Sequence, residues 1–315
     1  YGVPSRSILE HGLPSHYESD RIWVEAFIVS FETSPSHWAS SKSLHEWLAE
    51  EGVPGISNVD TRMLVKHIRD KGVMMAVAAV YPEENFLELE YLRKLLEESE
   101  HYNEAYLVSR VSPRKIVIHE PGGNARRTMV VVDCGVKYGI LRELLKRGFR
   151  VVRIPYNEDP IKYLHEFNAC GVVFSNGPGN PELLSDTIRS ARAVIEYGVP
   201  SLGICLGHQI LAIASGAETY KLKYGHRGQN KPCMCVERSK CFVTSQNHGF
   251  AVDENSLDET GFKLWMINVD DRTIEGLKHS SKPIITVQFH PEGSPGPLDS
   301  SWIFDMFTGM VEKYG

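Results

Sequence analysis

Residues 200–208, Pro200-Ser201-Leu202-Gly203-Ile204-Cys205-Leu206-Gly207-His208, carry a short apolar strand directly into a helix. The join is Gly-x-Cys-x-Gly, the strand-to-helix pattern of a nucleophile elbow with Cys in the Ser position. The spelling has a physical basis. A nucleophile at such a turn sits in a strained backbone with its side chain exposed, and the flanking glycines leave room for it. The following helix aims its partially positive N-terminus at the sulfur, which favours negative charge there. An ordinary thiol, with a pKa of about 8.5, is only a few per cent ionised at neutral pH, so such help matters. On the pentapeptide alone, a small buried cysteine beside close-packed glycines remains an alternative.

Outward from this point the chain keeps one rhythm. Met129 to Val132, Val151 to Ile154, Gly171 to Phe174 and Pro200 to Ile204 read as strands. Between them Ile140 to Arg147, Ile161 to Phe167 and Leu183 to Tyr197 read as helices, with another starting at His208. Continuously apolar strands alternating with helices mark a parallel sheet covered on both faces, an α/β fold. Further strands are expected at Cys241 to Thr244, Phe262 to Ile267 and Ile284 to Phe289, and a last helix at Trp302 to Tyr314.

The first third of the chain reads differently. Ser57, Asn58 or Asp60 can cap a helix on which Met63, Leu64, His67 and Ile68 share a face before Gly72 stops it. Val73 to Val80 suits a strand, and Glu83 to Glu98 has helical period. Tyr1-Gly2-Val3-Pro4 looks like the interior of a turn, with neither an initiator Met nor a capped first element. Ser112 to Thr128 collects Pro113, Pro121, Gly122, Gly123 and Asn124, the chemistry of a linker. The expected organisation is therefore a domain at 1–111, a linker at 112–128 and a second domain at 129–315.

Composition narrows the function. With 34 Lys and Arg against 40 Asp and Glu, the net charge is −6, which offers no footprint for nucleic acid or an anionic membrane. The apolar runs fall far short of the roughly 18 residues of a membrane span. No basic-then-apolar leader stands at the start, so a cytoplasmic protein is the expectation. Cys134, Cys170, Cys233, Cys235 and Cys241 read as structural thiols. Cys233, Cys235 and Cys241 lack a partner pair at zinc-site spacing, so no metal site is expected.

A cysteine nucleophile needs a base, and the base an orienting acid. His290-Pro291-Glu292 directly follows the strand ending at Phe289. In a parallel sheet the strand C-termini share one edge, so His290 and Cys205 can converge there. The loop Ser175-Asn176-Gly177-Pro178-Gly179-Asn180-Pro181 also follows a buried strand and lacks the Lys-Ser/Thr ending of a phosphate loop. Its glycines and prolines fix a rigid loop with exposed N–H groups, as an oxyanion hole requires. Alone, it is equally readable as a plain turn.

Together, Ser175 to Pro181, Gly203 to Gln209 and His290 to Glu292 resemble the triad-type class I glutamine amidotransferase domain. Gly225 to Pro232, Gln246 to Asp253 and His290 to Pro297 resemble, more closely, the small glutamine-hydrolysing subunits of carbamoyl-phosphate synthetases. Asp60 to Leu64 and Ile68 to Gly72 resemble that family's own N-terminal domain, which other amidotransferases lack. The resemblance covers nearly the whole chain. It implies a flavodoxin-like, open, mostly parallel sheet with helices on both faces, preceded by a smaller α/β domain.

It also implies Cys205 as nucleophile, His290 as base and Glu292 as its orienter, with the backbone N–H groups of Leu206 and Gly177 as oxyanion hole. L-Glutamine would be held by Gly177, Gly179, Leu206, Gln209, Asn247, Gly249 and Phe250, and His248 would help position or couple. The expected activity is hydrolysis through a γ-glutamyl thioester, with ammonia passed to a large subunit. No cofactor is expected in this chain, and ATP and magnesium belong to that partner, whose carbamoyl phosphate would feed arginine and pyrimidine biosynthesis. The alternatives are the glutaminase of another amidotransferase or a non-catalytic regulatory subunit. Asn180, Gln229 and Gly139 stand where the family usually has Asp, Gly and Asn, and none of them removes a catalytic group. The family also has a stretch before the position of Tyr1, including a Ser on the glutamine carboxylate, so the chain reads as N-terminally truncated.

Overall fold

A short strand survives only where a neighbour supplies its backbone partners, and the first of the chain's two units shows the consequence. The computed structural model describes residues 2–82, 88–125 and 127–315. Its two units are Tyr1–Leu9 with Pro14–Asn103, and Glu10–Leu13 with Glu104–Gly315. In the first, β1 (Val3–Pro4) pairs antiparallel with β3 (Ser40–Lys42), so Val3 and Pro4, read from sequence as part of a turn, form a short strand. Strand β2 (Phe27–Ile28) pairs parallel with β4 (Gly55–Ile56). Helix α1 (Leu44–Glu51) opens on a reciprocal cap between Ser43 and Glu46. Of the three candidate caps for α2 (Thr61–Lys71), Asp60 is used, accepting from the Met63 N–H at 2.9 Å.

The strand expected at Val73 to Val80 does not form: the stretch joins no ladder, and Val80 is 71% exposed. An apolar run without a neighbouring edge cannot satisfy its backbone as a strand. Helix α3 (Leu89–Glu98) covers the later part of the helical reading, whose residues 83–87 lie outside the described residues.

The second unit opens with α4 (Val108–Val111) and β5 (Val117–His119). The latter lies within the stretch read as linker, yet it pairs antiparallel at the sheet edge with β7 (Phe149–Pro155). Pro113 and Pro121 punctuate an edge strand as readily as a linker. Next come β6 (Arg127–Asp133), β8 (Ala169–Phe174), β9 (Ser201–Ile204) and β14 (Ile284–Val287), which with β7 form the parallel centre in the order β7-β6-β8-β9-β14. In chain order this is 2-1-3-4-5, the flavodoxin arrangement. Antiparallel strands β13 (Ile274–His279), β12 (Phe262–Asn268), β10 (Thr219–Cys235) and β11 (Lys240–Val252) continue it to ten strands. The sheet is therefore mixed around a parallel centre.

The uninterrupted run at 129–132 has a direct cause. Met129 and Val131 face the core shared with α5 (Tyr138–Lys146) and α9 (Trp302–Tyr314). Val130 and Val132 face the opposite core, with α6 (Pro160–Glu166), α7 (Ser185–Tyr197) and α8 (Leu206–Ala214). Both faces are covered, so both parities must be apolar.

Candidate active site

Four strand C-termini meet at one edge, and each delivers part of the site. At the end of β6, the Asp133 carboxylate accepts from the N–H groups of Gly135 and Val136 at 2.8 and 2.7 Å and pairs with Arg153 at 2.6 Å. At the end of β8, Ser175 Oγ accepts from the Cys134 N–H at 2.9 Å, and Asn176 Oδ1 accepts from the Lys137 N–H at 3.0 Å. Asn176 Nδ2 donates back to the Gly135 carbonyl at 3.1 Å. These bonds lace together the two loops at the point where the strand order reverses, where open α/β sheets bind ligands.

Gly177 follows in that loop because nothing larger fits: a Cβ there would lie 2.2 Å from the Cys134 carbonyl oxygen and 2.7 Å from Leu206 Cδ2. At the end of β9, Cys205 has φ 53° and ψ −102°, a strained backbone for a residue with a side chain. The elbow holds because its glycines are used up in packing. A Cβ on Gly207 would lie 2.1 Å from the Phe174 carbonyl oxygen, and one on Gly203 would lie 2.6 Å from that of Gly207. The Cys205 N–H donates to Val287 at 2.8 Å, tying the elbow to β14. Among the described residues, the N–H groups of Leu206 and Gly177 have no protein acceptor.

His290 comes from the end of β14. Its Nδ1 donates to Glu292 Oε1 at 2.7 Å. Cys205, His290 and Glu292 are all buried. Burial opposes charge on the imidazole, but Glu292 and Cys205 outweigh it and raise the His290 pKa well above the ordinary value. Burial likewise opposes ionisation of Glu292, and His290 with Lys137 overcomes it, holding the carboxyl below its usual range. Lys137 Nζ donates to the same Oε1 at 2.8 Å and to the Ser294 carbonyl at 2.8 Å. A cysteine, an imidazole, a buried carboxylate and a lysine thus stand in one chain, suited to moving a proton between sulfur and ring.

The other residues singled out by sequence gather less evenly. Leu206 and Gly177 touch each other beside the elbow. Gln209 Nε2 donates to the Phe250 carbonyl at 2.9 Å and to Gln288 Oε1 at 3.0 Å, and the Asn247 carbonyl lies 3.9 Å from Cys205 Sγ. Gly179 (φ 91°) packs near Ala105 and Leu107, and Gly249 lies 3.7 Å from the Arg227 guanidinium, measured from an added Cβ. His248 is buried and donates through Nδ1 to the Phe250 carbonyl at 2.8 Å.

Two residues were missed by sequence reasoning. Lys137 stands in a stretch compared with the family but carries no local sign that it will meet Glu292, 155 positions away. Gln288, whose Nε2 is 3.7 Å from Cys205 Sγ, lies two residues before His290, and that parity along the strand was its only signal.

The glutamine amidotransferase class-I family matches residues 130–310, and the carbamoyl-phosphate synthase small chain, CPSase domain matches residues 5–78. The carbamoyl phosphate synthase small chain of Pyrococcus furiosus is 53% identical over 99% of this chain and 82% of its own length. The chain belongs to the carbamoyl phosphate synthase small chain family. The relative from Sulfurisphaera tokodaii is 47% identical over 99% of this chain and 81% of its own length. A solved Thermoplasma acidophilum structure, assigned to GMP synthase, is 26% identical with a TM-score of 0.53, covering 61% of this chain and 97% of that one. That shorter structure matches the share of this chain a lone amidotransferase domain would occupy, whereas the small-chain relatives extend through both units. Among the described residues no helix is long and apolar enough to cross a membrane.

Proposed function

We propose that this chain hydrolyses L-glutamine for a carbamoyl phosphate synthase, with Cys205 as nucleophile, His290 as base and Glu292 as the acid that orients it. The observation that carries this is Cys205, held at φ 53° on an elbow, with an imidazole bonded to a buried carboxylate and electrostatically coupled to the thiol. The thiol proton passes to His290, whose raised pKa favours the charged ring, and the sulfur then attacks the side-chain amide carbon of glutamine as the carbonyl electron pair moves onto oxygen. The unpartnered N–H groups of Leu206 and Gly177 receive that oxygen. The imidazolium protonates the amide nitrogen, the C–N bond breaks, and ammonia leaves a γ-glutamyl thioester. Water then gives a proton to His290 and attacks the thioester, the C–S bond breaks, and glutamate departs with the thiol restored.

Gly177, Gly179, Leu206, Gln209, Asn247, Gly249 and Phe250 hold the substrate, supplying backbone donors, amides and an apolar wall for a zwitterion with an amide tail. Lys137 is a positioning residue, holding Glu292 ionised toward His290. Ammonia passes to a large subunit in the cytoplasm, where ATP and magnesium are used; this chain needs no cofactor for its own step. The match to the CPSase domain over residues 5–78 favours this assignment over the glutaminase of another amidotransferase.

Acid quenching of the chain during turnover of radiolabelled glutamine tests the proposal. The native chain retains one covalent glutamyl label and Cys205→Ser retains none. A label of equal size in Cys205→Ser would remove Cys205 from the nucleophile's place.

A further inference from the structure

Beside the catalytic elbow, on β10, β11 and β13, lies a second buried group of titratable side chains outside the Cys205, His290 and Glu292 set. His226, His248 and Glu275 each present a ligand atom within 4.8 Å of the others. Their hydrogen bonds determine which atoms carry protons. Asp271 Oδ2 lies 2.8 Å from His226 Nε2, and a carboxylate only accepts, so Nε2 carries a proton, while Nδ1 faces inward, 3.5 Å from Asn268 Nδ2 and 3.7 Å from Glu275 Oε1. The Phe250 carbonyl lies 2.8 Å from His248 Nδ1, which puts the proton there and leaves the Nε2 lone pair inward.

The Gln246 amide is oriented by the same logic. Thr244 Oγ1 spends its one proton on the Lys231 carbonyl at 2.8 Å, so toward Gln246 it can only accept. Gln246 Nε2 therefore donates to Thr244 at 3.1 Å, and Oε1 is turned to His248 Nε2 at 3.3 Å. Two acceptors then face one another with no proton between them. Glu275 adds to the mismatch. It is fully buried, Oε1 takes a bond from Asn268 Nδ2 at 3.0 Å and lies 3.7 Å from His226 Nδ1, and Oε2 has no hydrogen-bond partner. Buried polar atoms are rarely left so.

We propose that His226, His248 and Glu275, with Gln246 Oε1 beside them, form a binding site for a divalent transition metal ion of the zinc class. Two imidazoles, a carboxylate and an amide oxygen form a nitrogen and oxygen set suited to zinc. The outer contacts fit as well: Asp271 on His226 and the Phe250 carbonyl on His248 are the partners that fix ring orientation in metal-binding histidines. Bonds of about 2.1 Å separate tetrahedral ligand atoms by about 3.4 Å, so binding draws the set inward by about 1 Å.

The site is structural, and it is placed to stiffen the catalytic edge. The Phe250 carbonyl that receives His248 also receives Gln209 Nε2 at 2.9 Å. The Glu275 carbonyl accepts the Gln288 N–H at 2.8 Å, and the Gln288 side chain reaches Cys205. This inference stands apart from the hydrolysis proposal, since its readout is metal binding.

The test is titration of the chelator-treated full chain with Zn2+ against a competing chromophoric chelator, alongside Co2+ with its visible d–d spectrum. The native chain and Cys205→Ser bind one tight equivalent each, which separates this site from the catalytic thiol. Asp271→Asn weakens binding about ten- to a hundredfold, as loss of an outer partner does, and Glu275→Gln and His226→Gln weaken it further. Each variant is checked for native circular dichroism, and the two ligand variants are read independently. Three results each overturn the proposal: no tight equivalent in the native chain, loss of that equivalent in Cys205→Ser, or undiminished binding in a folded Glu275→Gln or His226→Gln.

Discussion

Replacing Glu292 by Gln removes one charge from a buried chain of three and leaves its shape almost unchanged. In the native chain Glu292 Oε1 receives both His290 Nδ1 at 2.7 Å and Lys137 Nζ at 2.8 Å. The Glu292 side chain is fully buried and that of Lys137 is 23% exposed. Removing one partner of a buried pair costs about 3–5 kcal/mol, and the partial access of Lys137 to water lowers the figure here to about 3 kcal/mol. The pH dependence has a definite sign. The Glu292 pKa is depressed from 4.5, so its contribution is complete above that value and fades as pH falls toward the folded value. The His290 pKa is raised from 6.5, so its contribution is complete below that value and fades as pH rises toward the folded value. The stability difference between native and Glu292→Gln chains should therefore be greatest between about pH 4.5 and 6.5 and shrink on both sides. Denaturant unfolding of both chains across pH 3 to 9 measures it. A difference below about 1 kcal/mol at pH 6, or one flat across the range, would refute the coupled pair.

His290→Asn should leave glutamine binding nearly intact and cut turnover by about 10² or more, a larger loss than Glu292→Gln causes; steady-state kinetics that reverse this order would exchange the two roles. Gly207→Ala forces a Cβ to within 2.1 Å of the Phe174 carbonyl oxygen, so unfolding should show about 1–3 kcal/mol of destabilisation, and an unchanged midpoint would contradict the packing. Adding the large partner subunit should raise glutaminase turnover above that of the chain alone, because an uncoupled glutaminase populates its competent geometry only in part; equal rates would show that no such gating exists.

Local signals were strong wherever physics acts along the chain. The Gly203 to Gly207 pentapeptide announces its turn because the crowding there, Gly203 against Gly207 and Gly207 against Phe174, excludes any side chain. The run at Met129 to Val132 declares a sheet buried on both faces because alternate residues enter different cores. Asp60 and Gly72 mark the ends of α2 because orphan backbone groups at helix ends need nearby partners. From such features the α/β class, the parallel centre and the candidates Cys205, His290 and Glu292 could be read directly.

Other features depend on which residues the fold brings together. Val73 to Val80 has the composition of a strand, but nothing offers it an edge, while Val117–His119, bracketed by prolines, finds one on β7. Of the long hairpin of β10 and β11 only Cys241 to Thr244 was read as strand, because its exposed stretches are polar and its register shifts between Lys221 and His226 and between Gly228 and Lys231. Lys137 meets Glu292, and His226 meets His248 and Glu275, across separations that leave no periodicity to find. A residue's propensity and its spacing from near neighbours are written in the chain, so the elbow, the caps and the doubly buried strands were legible. The partner of a buried charge is chosen by which strand ends the sheet order places side by side, and only the folded chain contains that choice.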